Sequence, residues 1–168
     1  MTAAAKPELA MRPFLATDTP LVADIFRASI DELTAEDYSD SQREAWAAAA
    51  DDEEALGERL GGQLTILGML GGSPVGFASL KGADQLDMLY VHPAAVGNGV
   101  GSMLVEALEK LAAARGARRL TAEVSDSANE FFQKRGFVPQ QRNTVPRGGE
   151  WLGNTTMHKQ LAAKERPQ

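Results

Sequence analysis

Val96-Gly97-Asn98-Gly99-Val100-Gly101-Ser102 joins a strand-like segment, Leu86 to Val91, to a long helix-patterned one, Val100 to Arg115. Glycines at such a junction let several backbone N–H groups converge at the positive end of a helix, which makes an anion site with phosphate as the usual guest. A glycine-rich turn that only closes a tight connection has the same composition, so the flanking chain must decide.

Upstream of the loop the pattern is extended. Leu64–Leu70, Val75–Leu80 and Gln85–Val91 are separated by Gly71-Gly72-Ser73-Pro74 and Gly82-Ala83-Asp84, which predicts an antiparallel meander. Downstream, Met103, Leu104, Ala107, Leu108 and Leu111 share one helix face that ends at Gly116, and Arg118–Val124 returns to strand. Leu86 to Val124 is therefore a strand, crossover helix, strand unit, expected to be right-handed and parallel. A short helix over Ser127–Arg135, a strand over Phe137–Arg142, a polar loop over Asn143–Gly149 and a strand over Glu150–Lys159 complete this half.

The opening third predicts a strand at Leu9–Leu15, then a helix with Thr19 as N-cap and Pro20 at the first helical position. Ser39 and Gln42 form a capping box for a second helix that contains Ala45 and Trp46, and Asp51–Leu60 makes a third. The expectation is one α/β domain over residues 9–161, a mixed sheet of six to seven strands with four to five helices. Tails at 1–8 and 162–168 flank it.

Composition narrows the function. No run approaches the apolar length needed to cross a bilayer, and the start lacks the apolar core of a signal peptide, so the expectation is a cytoplasmic protein with no membrane partner. No cysteine and two histidines leave no thiolate chemistry and no histidine-rich metal cluster, so no metal is expected. A net charge of -6 argues against nucleic acid. Acidic residues crowd Asp31 to Glu58, either as solvated helix faces or as a field that draws a cationic amine. Basic residues gather in the second half, the side an anionic ligand would prefer.

Two phosphate-loop types fail on spacing. A dinucleotide turn would place its ribose acid near Glu123, but its third glycine falls on Ser102, and His92–Val96 insert five residues where that turn must be tight. A Walker loop requires Gly-Lys-Ser/Thr, and none follows. Val91-His92-Pro93 with Val96-Gly97-Asn98-Gly99-Val100-Gly101 instead resembles the pyrophosphate loop of the GNAT (Gcn5-related) N-acetyltransferase superfamily. Ala128-Asn129-Glu130-Phe131-Phe132-Gln133-Lys134-Arg135-Gly136-Phe137 resembles that family's second hallmark, Ala-x-x-Phe-Tyr-x-x-x-Gly-Phe. The resemblance covers about Met11 to Leu161. Tyr38-Ser39, Ala45-Trp46 and Asn154-x-x-Met157-x-Lys159 are similar to one bacterial branch of small members.

The resemblance implies the GNAT fold with a cleft where the fourth and fifth strands splay. It implies acetyl-CoA, or another acyl-CoA, as acyl donor and an amine as acceptor, to which the acid of the first third adds a cationic character. The pantetheine arm would pair with the backbone at Leu89, Tyr90 and Val91, the Val91 N–H polarising the thioester carbonyl. The pyrophosphate would meet Val96, Gly97, Asn98, Gly99, Val100, Gly101 and Ser102, with Asn129 and Phe132 also against the donor. Val96 stands where the family has Gln or Arg, Asn98 where Arg is common, and Phe132 where a tyrosine often protonates the leaving thiolate. Tyr38 and Ser125 are the candidate replacement hydroxyls. Glu123, Asp87 and His92 are the candidate bases, and Tyr38 and Trp46 the candidate acceptor-pocket residues. The alternative activity is a non-catalytic module of the same fold that binds or senses acyl-CoA. Homodimers are common in the superfamily, although no long apolar stripe here demands one.

Overall fold

The structure, a computed structural model, describes residues 7–162. Apart from Pro7, Glu8 and Ala162, the expected tails lie outside the described residues. Seven strands form a single sheet in the order β1-β2-β3-β4-β5-β7-β6: β1 Leu9–Pro13, β2 Leu64–Leu70, β3 Ser73–Lys81, β4 Gln85–Val91, β5 Arg119–Ser125, β6 Val138–Arg147 and β7 Glu150–Gln160. Every neighbouring pair is antiparallel except β4/β5. The helices are α1 Thr19–Leu33, α2 Asp40–Ala47, α3 Glu53–Gly61, α4 Val100–Ala114 and α5 Asn129–Lys134.

The helices cover both faces of the sheet. On one, Phe26, Ile30, Leu56 and Leu60 of α1 and α3 pack on Leu67, Phe77 and Met88. On the other, Leu104 and Leu108 of α4 pack with Ala78, Leu80, Leu120, Val124 and Met157, and Phe132 of α5 closes the layer. Each fully buried leucine contributes about 2 kcal/mol through removal of its side chain from water.

Local chemistry sets the helix starts. Ser39 Oγ accepts the Gln42 N–H at 3.2 Å and Gln42 Oε1 accepts the Ser39 N–H at 2.9 Å, the expected capping box of α2. At α1 the cap is Asp18, not Thr19. The Asp18 carboxylate accepts the Leu15 N–H and takes Arg12 on both oxygens, all at 2.8 Å, so the chain enters the helix one residue earlier than the threonine suggested. Those bonds hold its carboxyl below the ordinary range, against the effect of burial.

Asn143–Gly149 is not a loop. β6 continues to Arg147, paired residue by residue with β7, and the turn is only Gly148-Gly149, both at positive φ. Two such residues build the hairpin turn whose twist matches its strands. The polar side chains sit on an edge strand held by its ladder, so apolar alternation is not required of them.

The height of α4 over the sheet depends on a cross-strand glycine pair, Gly68 opposite Gly76. A Cβ on Gly68 would lie 2.8 Å from Val100 Cγ1, and one on Gly76 would lie 3.0 Å from the same methyl and 3.1 Å from the Tyr90 carbonyl oxygen. The two glycines form a slot for Val100, the first residue of α4, and so seat the glycine loop that precedes it. We expect Gly76→Ala to overpack this slot and cost about 1–3 kcal/mol. Urea unfolding would show it as a lowered midpoint, and an unchanged midpoint would contradict the close contact.

Candidate active site

β4 and β5 pair at only two positions, Gln85 with Thr121 and Leu86 with Ala122, and then diverge. A cleft of about 570 Å³ opens between them. The start of α4 and α5 wall one end of it, and residues of α1 and α2 the other. Leu89, Val91, Val96, Gly97, Gly99, Val100, Gly101, Ser102, Glu123, Ser125 and Phe132 line it, as the sequence led us to expect.

The cleft carries backbone donors along its length. His92 N–H bonds to Val75 O on β3 at 2.7 Å. Alternate peptides of a strand face opposite edges, so Tyr90 turns its peptide groups to β3 as well, whereas Leu89 and Val91 turn theirs to the open edge. Of the three expected backbone partners, Tyr90 is therefore corrected: its ring, not its peptide, faces the cleft. Beyond β4, Gly97 and Gly99 take φ of +89° and +83°. The first bond of α4 is from Met103 N–H to Gly99 O, so the N–H groups of Val100, Gly101 and Ser102 are the free donors of a helix start. A Cβ on Gly101 would lie 3.1 Å from the Phe131 ring, which packs against this turn. These residues fit a long thioester ending in phosphates.

Three expected site residues already have side-chain partners within the fold. Asn98 is absent from the cleft wall and donates Nδ2 to Ala95 O at 3.0 Å, closing its own turn. Asn129, also off the wall, accepts from Gln133 one helical turn on. Tyr38 is 5% exposed; its hydroxyl donates to Gly153 O at 2.6 Å and accepts the Asp126 N–H at 2.9 Å. It ties the α1–α2 connection to β7 and to the segment after β5, with no proton free for a thiolate, and burial raises its pKa.

Trp46 does line the cleft and donates Nε1 to the Tyr90 hydroxyl at 3.2 Å; burial pushes the Tyr90 phenol up to about 12. Phe132 is packed edge-to-face between Phe131 and Phe137 and has no proton to give. Ser125 Oγ accepts the Ala128 N–H at 3.2 Å, and its own proton has no acceptor among the described residues. His92 caps the turn Pro93–Ala95, its Nδ1 accepting the Ala94 N–H at 3.1 Å.

The two candidate carboxylates differ. The β3/β4 register slips so that Ser79 faces Met88 and Leu80 faces Leu86, leaving Asp87 as a bulge. Asp87 lines the cleft as expected, although the strict alternation that placed it on the side of Leu89 does not hold across a bulge. Its Oδ2 takes Arg59 Nε at 2.8 Å and Gln63 Nε2 at 2.9 Å. Burial alone would raise its pKa, but these donors more than offset it and hold the carboxyl below the ordinary range. Among the described residues Glu123 has no arginine partner: Oε2 accepts from Thr156 at 2.7 Å and Asn143 at 3.1 Å, and Oε1 has no partner.

None of the acidic side chains between Asp31 and Glu58 lines the cleft. Asp51 pairs with Arg27 at 2.7 Å and Asp40 with Arg43 on an outer surface. Phe131 and Arg135 belong to the wall and the sequence reading missed them, although their four-residue spacing, from α5 to its C-cap, was the signal that they meet.

A sequence profile of the Acetyltransferase (GNAT) domain matches residues 34–161. The chain belongs to the GNAT acetyltransferase family. It is similar to a GCN5-related N-acetyltransferase structure from Rhodopseudomonas palustris, at 59% identity and a TM-score of 0.90 over 96% of this chain and 99% of that one. It is 31% identical to the peptidyl-lysine N-acetyltransferase YjaB of Salmonella typhimurium over 74% of this chain and 69% of that protein. PaiA N-acetyltransferase of Thermoplasma acidophilum, solved with coenzyme A, shares the fold at 19% identity and a TM-score of 0.75 over 92% of this chain and 99% of that one.

The geometry at Asp87 has a pH signature. Its folded pKa lies below the unfolded value of about 3.9, so the stability it contributes is present above that value and lost as pH falls through the folded pKa. We expect Asp87→Asn to be less stable than wild type at neutral pH, with the gap closing in acid. Equal destabilisation at all pH values would show that the Arg59 pair contributes nothing.

Proposed function

We propose that this chain is an acetyl-CoA-dependent N-acyltransferase that acetylates a primary amine of a small molecule or peptide by direct attack. The observation that carries this is the continuity of donors from the open edge of β4 to the free N–H groups at the start of α4, with Glu123 on the strand across the cleft. The Val91 N–H would polarise the thioester carbonyl, and the α4 start would take the pyrophosphate.

Most alkylamines are protonated at neutral pH and must lose a proton before attack. Glu123 Oε1 is the acceptor we assign, directly or through one water. Thr156 and Asn143 hold the other oxygen and fix its aim. The nitrogen bonds to the carbonyl carbon, the carbon–sulfur bond breaks, and the pair leaves on sulfur. With a pKa of about 8.5, a thiol is a fair leaving group, which makes Phe132 tolerable in place of a tyrosine. Ser125 is the hydroxyl we assign to relay a proton from solvent to the thiolate. Leu33, Trp46 and the Tyr90 ring give the acceptor end an apolar wall suited to an amine on an apolar stem, and YjaB, named as a peptidyl-lysine N-acetyltransferase, acts on one.

The test is release of free thiol from acetyl-CoA across a panel of amines and lysine peptides, beside calorimetric titration with CoA. We expect amine-dependent thiol release and micromolar or weaker binding. Binding with no thiol release from any acceptor would make the chain an acyl-CoA-binding module, and no binding at all would end both readings. Glu123→Gln should lower kcat about a hundredfold near neutrality and recover towards the amine's own pKa. A profile unchanged from about pH 6 to about pH 9 would remove Glu123 from the proton path.

A further inference from the structure

The glycine loop lacks a side-chain cation of its own. Val96 is apolar, and Asn98 spends its amide on Ala95. Three or more phosphate charges at this end of the cleft would then meet backbone dipoles alone. Yet one cation stands there. Arg135, the last-turn residue beyond α5, is the only arginine or lysine that lines the cleft among the described residues. Its sequence neighbour Lys134 is exposed and pairs with Glu130 at 3.0 Å.

The arginine is held in place and left without a counter-charge. Its Cζ stacks 3.6 Å from the centroid of the Phe131 ring, the ring that packs on Gly101. Nη1 donates to Phe131 O at 2.8 Å, and Nε at 3.1 Å together with Nη2 donates to Ser102 Oγ. No carboxylate pairs with it among the described residues. A guanidinium has five N–H donors; three are used, and two remain. The Ser102 hydroxyl, which accepts from Arg135, keeps its own proton for donation. Ser102 lies in the first turn of α4 and Arg135 bonds to it from the end of α5, so both face the same ligand as the free N–H groups of that turn.

We propose that Arg135 is the phosphate-binding cation of this cleft, delivered from α5 in place of the loop side chains, with Ser102 as the hydroxyl it orients. The assignment rests on the acyl-CoA reading above. Stacking on Phe131 pre-orders the side chain, so little rotamer freedom is lost when a phosphate binds. It also couples the Phe131–Gly101 contact to the anion site: a side chain at position 101 would displace the ring and with it the guanidinium.

Calorimetry with acetyl-CoA tests it in the wild-type chain, Arg135→Gln and Arg135→Lys. We expect Gln to weaken binding about tenfold or more and to flatten its dependence on salt, because a screened charge pair has been removed. Lys should recover much of both. A packing role alone predicts weaker binding with the wild-type salt slope and no recovery by Lys, and that result would overturn the assignment. So would unchanged binding by Arg135→Gln. Failure of the wild-type chain to bind would instead overturn the acyl-CoA reading and this inference with it. Acetyl-dephospho-CoA identifies the partner: loss of the Gln effect on that donor places Arg135 on the 3′-phosphate, and its persistence places it on the pyrophosphate.

Discussion

The rest of the molecule depends on a ladder that stops. β4 and β5 pair at two register positions and then part, leaving strand edge along the cleft with unspent donors and acceptors. Buried peptide groups left unpaired cost free energy, so an opened ladder at the centre of a sheet is tolerated only where something can complete it. Its neighbours hold the gap open. β4 is tied to β3 along its other edge, and β5 to β7 over seven positions. α4 spans the gap from above, seated on the Gly68–Gly76 slot through Val100.

Around the gap, polar groups divide into those already satisfied and those free to meet a ligand. Tyr38, Asn98, Asn129 and Asp87 each have partners within the fold, and each stabilises a turn or a junction between elements. Among the described residues, Glu123 Oε1, the Ser125 proton, the first N–H groups of α4 and two N–H groups of Arg135 have none. At Asp87 the Arg59 and Gln63 donors occupy one carboxylate oxygen and hold the carboxyl below its ordinary range, whereas Glu123 keeps one oxygen without a partner among the described residues.

The phosphate end shows how one fold can move a charge between elements. A cation on the loop needs only a side chain at position 96 or 98. A cation on α5 needs the helix to be docked first, because Arg135 reaches Ser102 only when Phe131 lies on Gly101. Electrostatics at this end of the cleft is therefore a property of tertiary packing, not of the loop.

What the sequence determined by itself was local: strand and helix periods, the Ser39–Gln42 box, the glycine turns, the parallel crossover from Leu86 to Val124, and the two motifs that identify the family. Each depends on residues a few positions apart, whose chemistry is the same in any context. It also placed most of the cleft wall, since Leu89, Val91, the glycines and Glu123 sit on those elements. It misread Asn143–Gly149, because an edge strand held by its ladder needs no apolar alternation. Only the tertiary structure decided which polar side chains were free. Tyr38 meets Gly153 and Asp126, Asp87 meets Arg59 across a bulge, and Arg135 meets Ser102, all partners distant in the chain. A hydrogen bond consumes a donor or an acceptor wherever its partner lies in the sequence, and that partner is found only when the chain is folded.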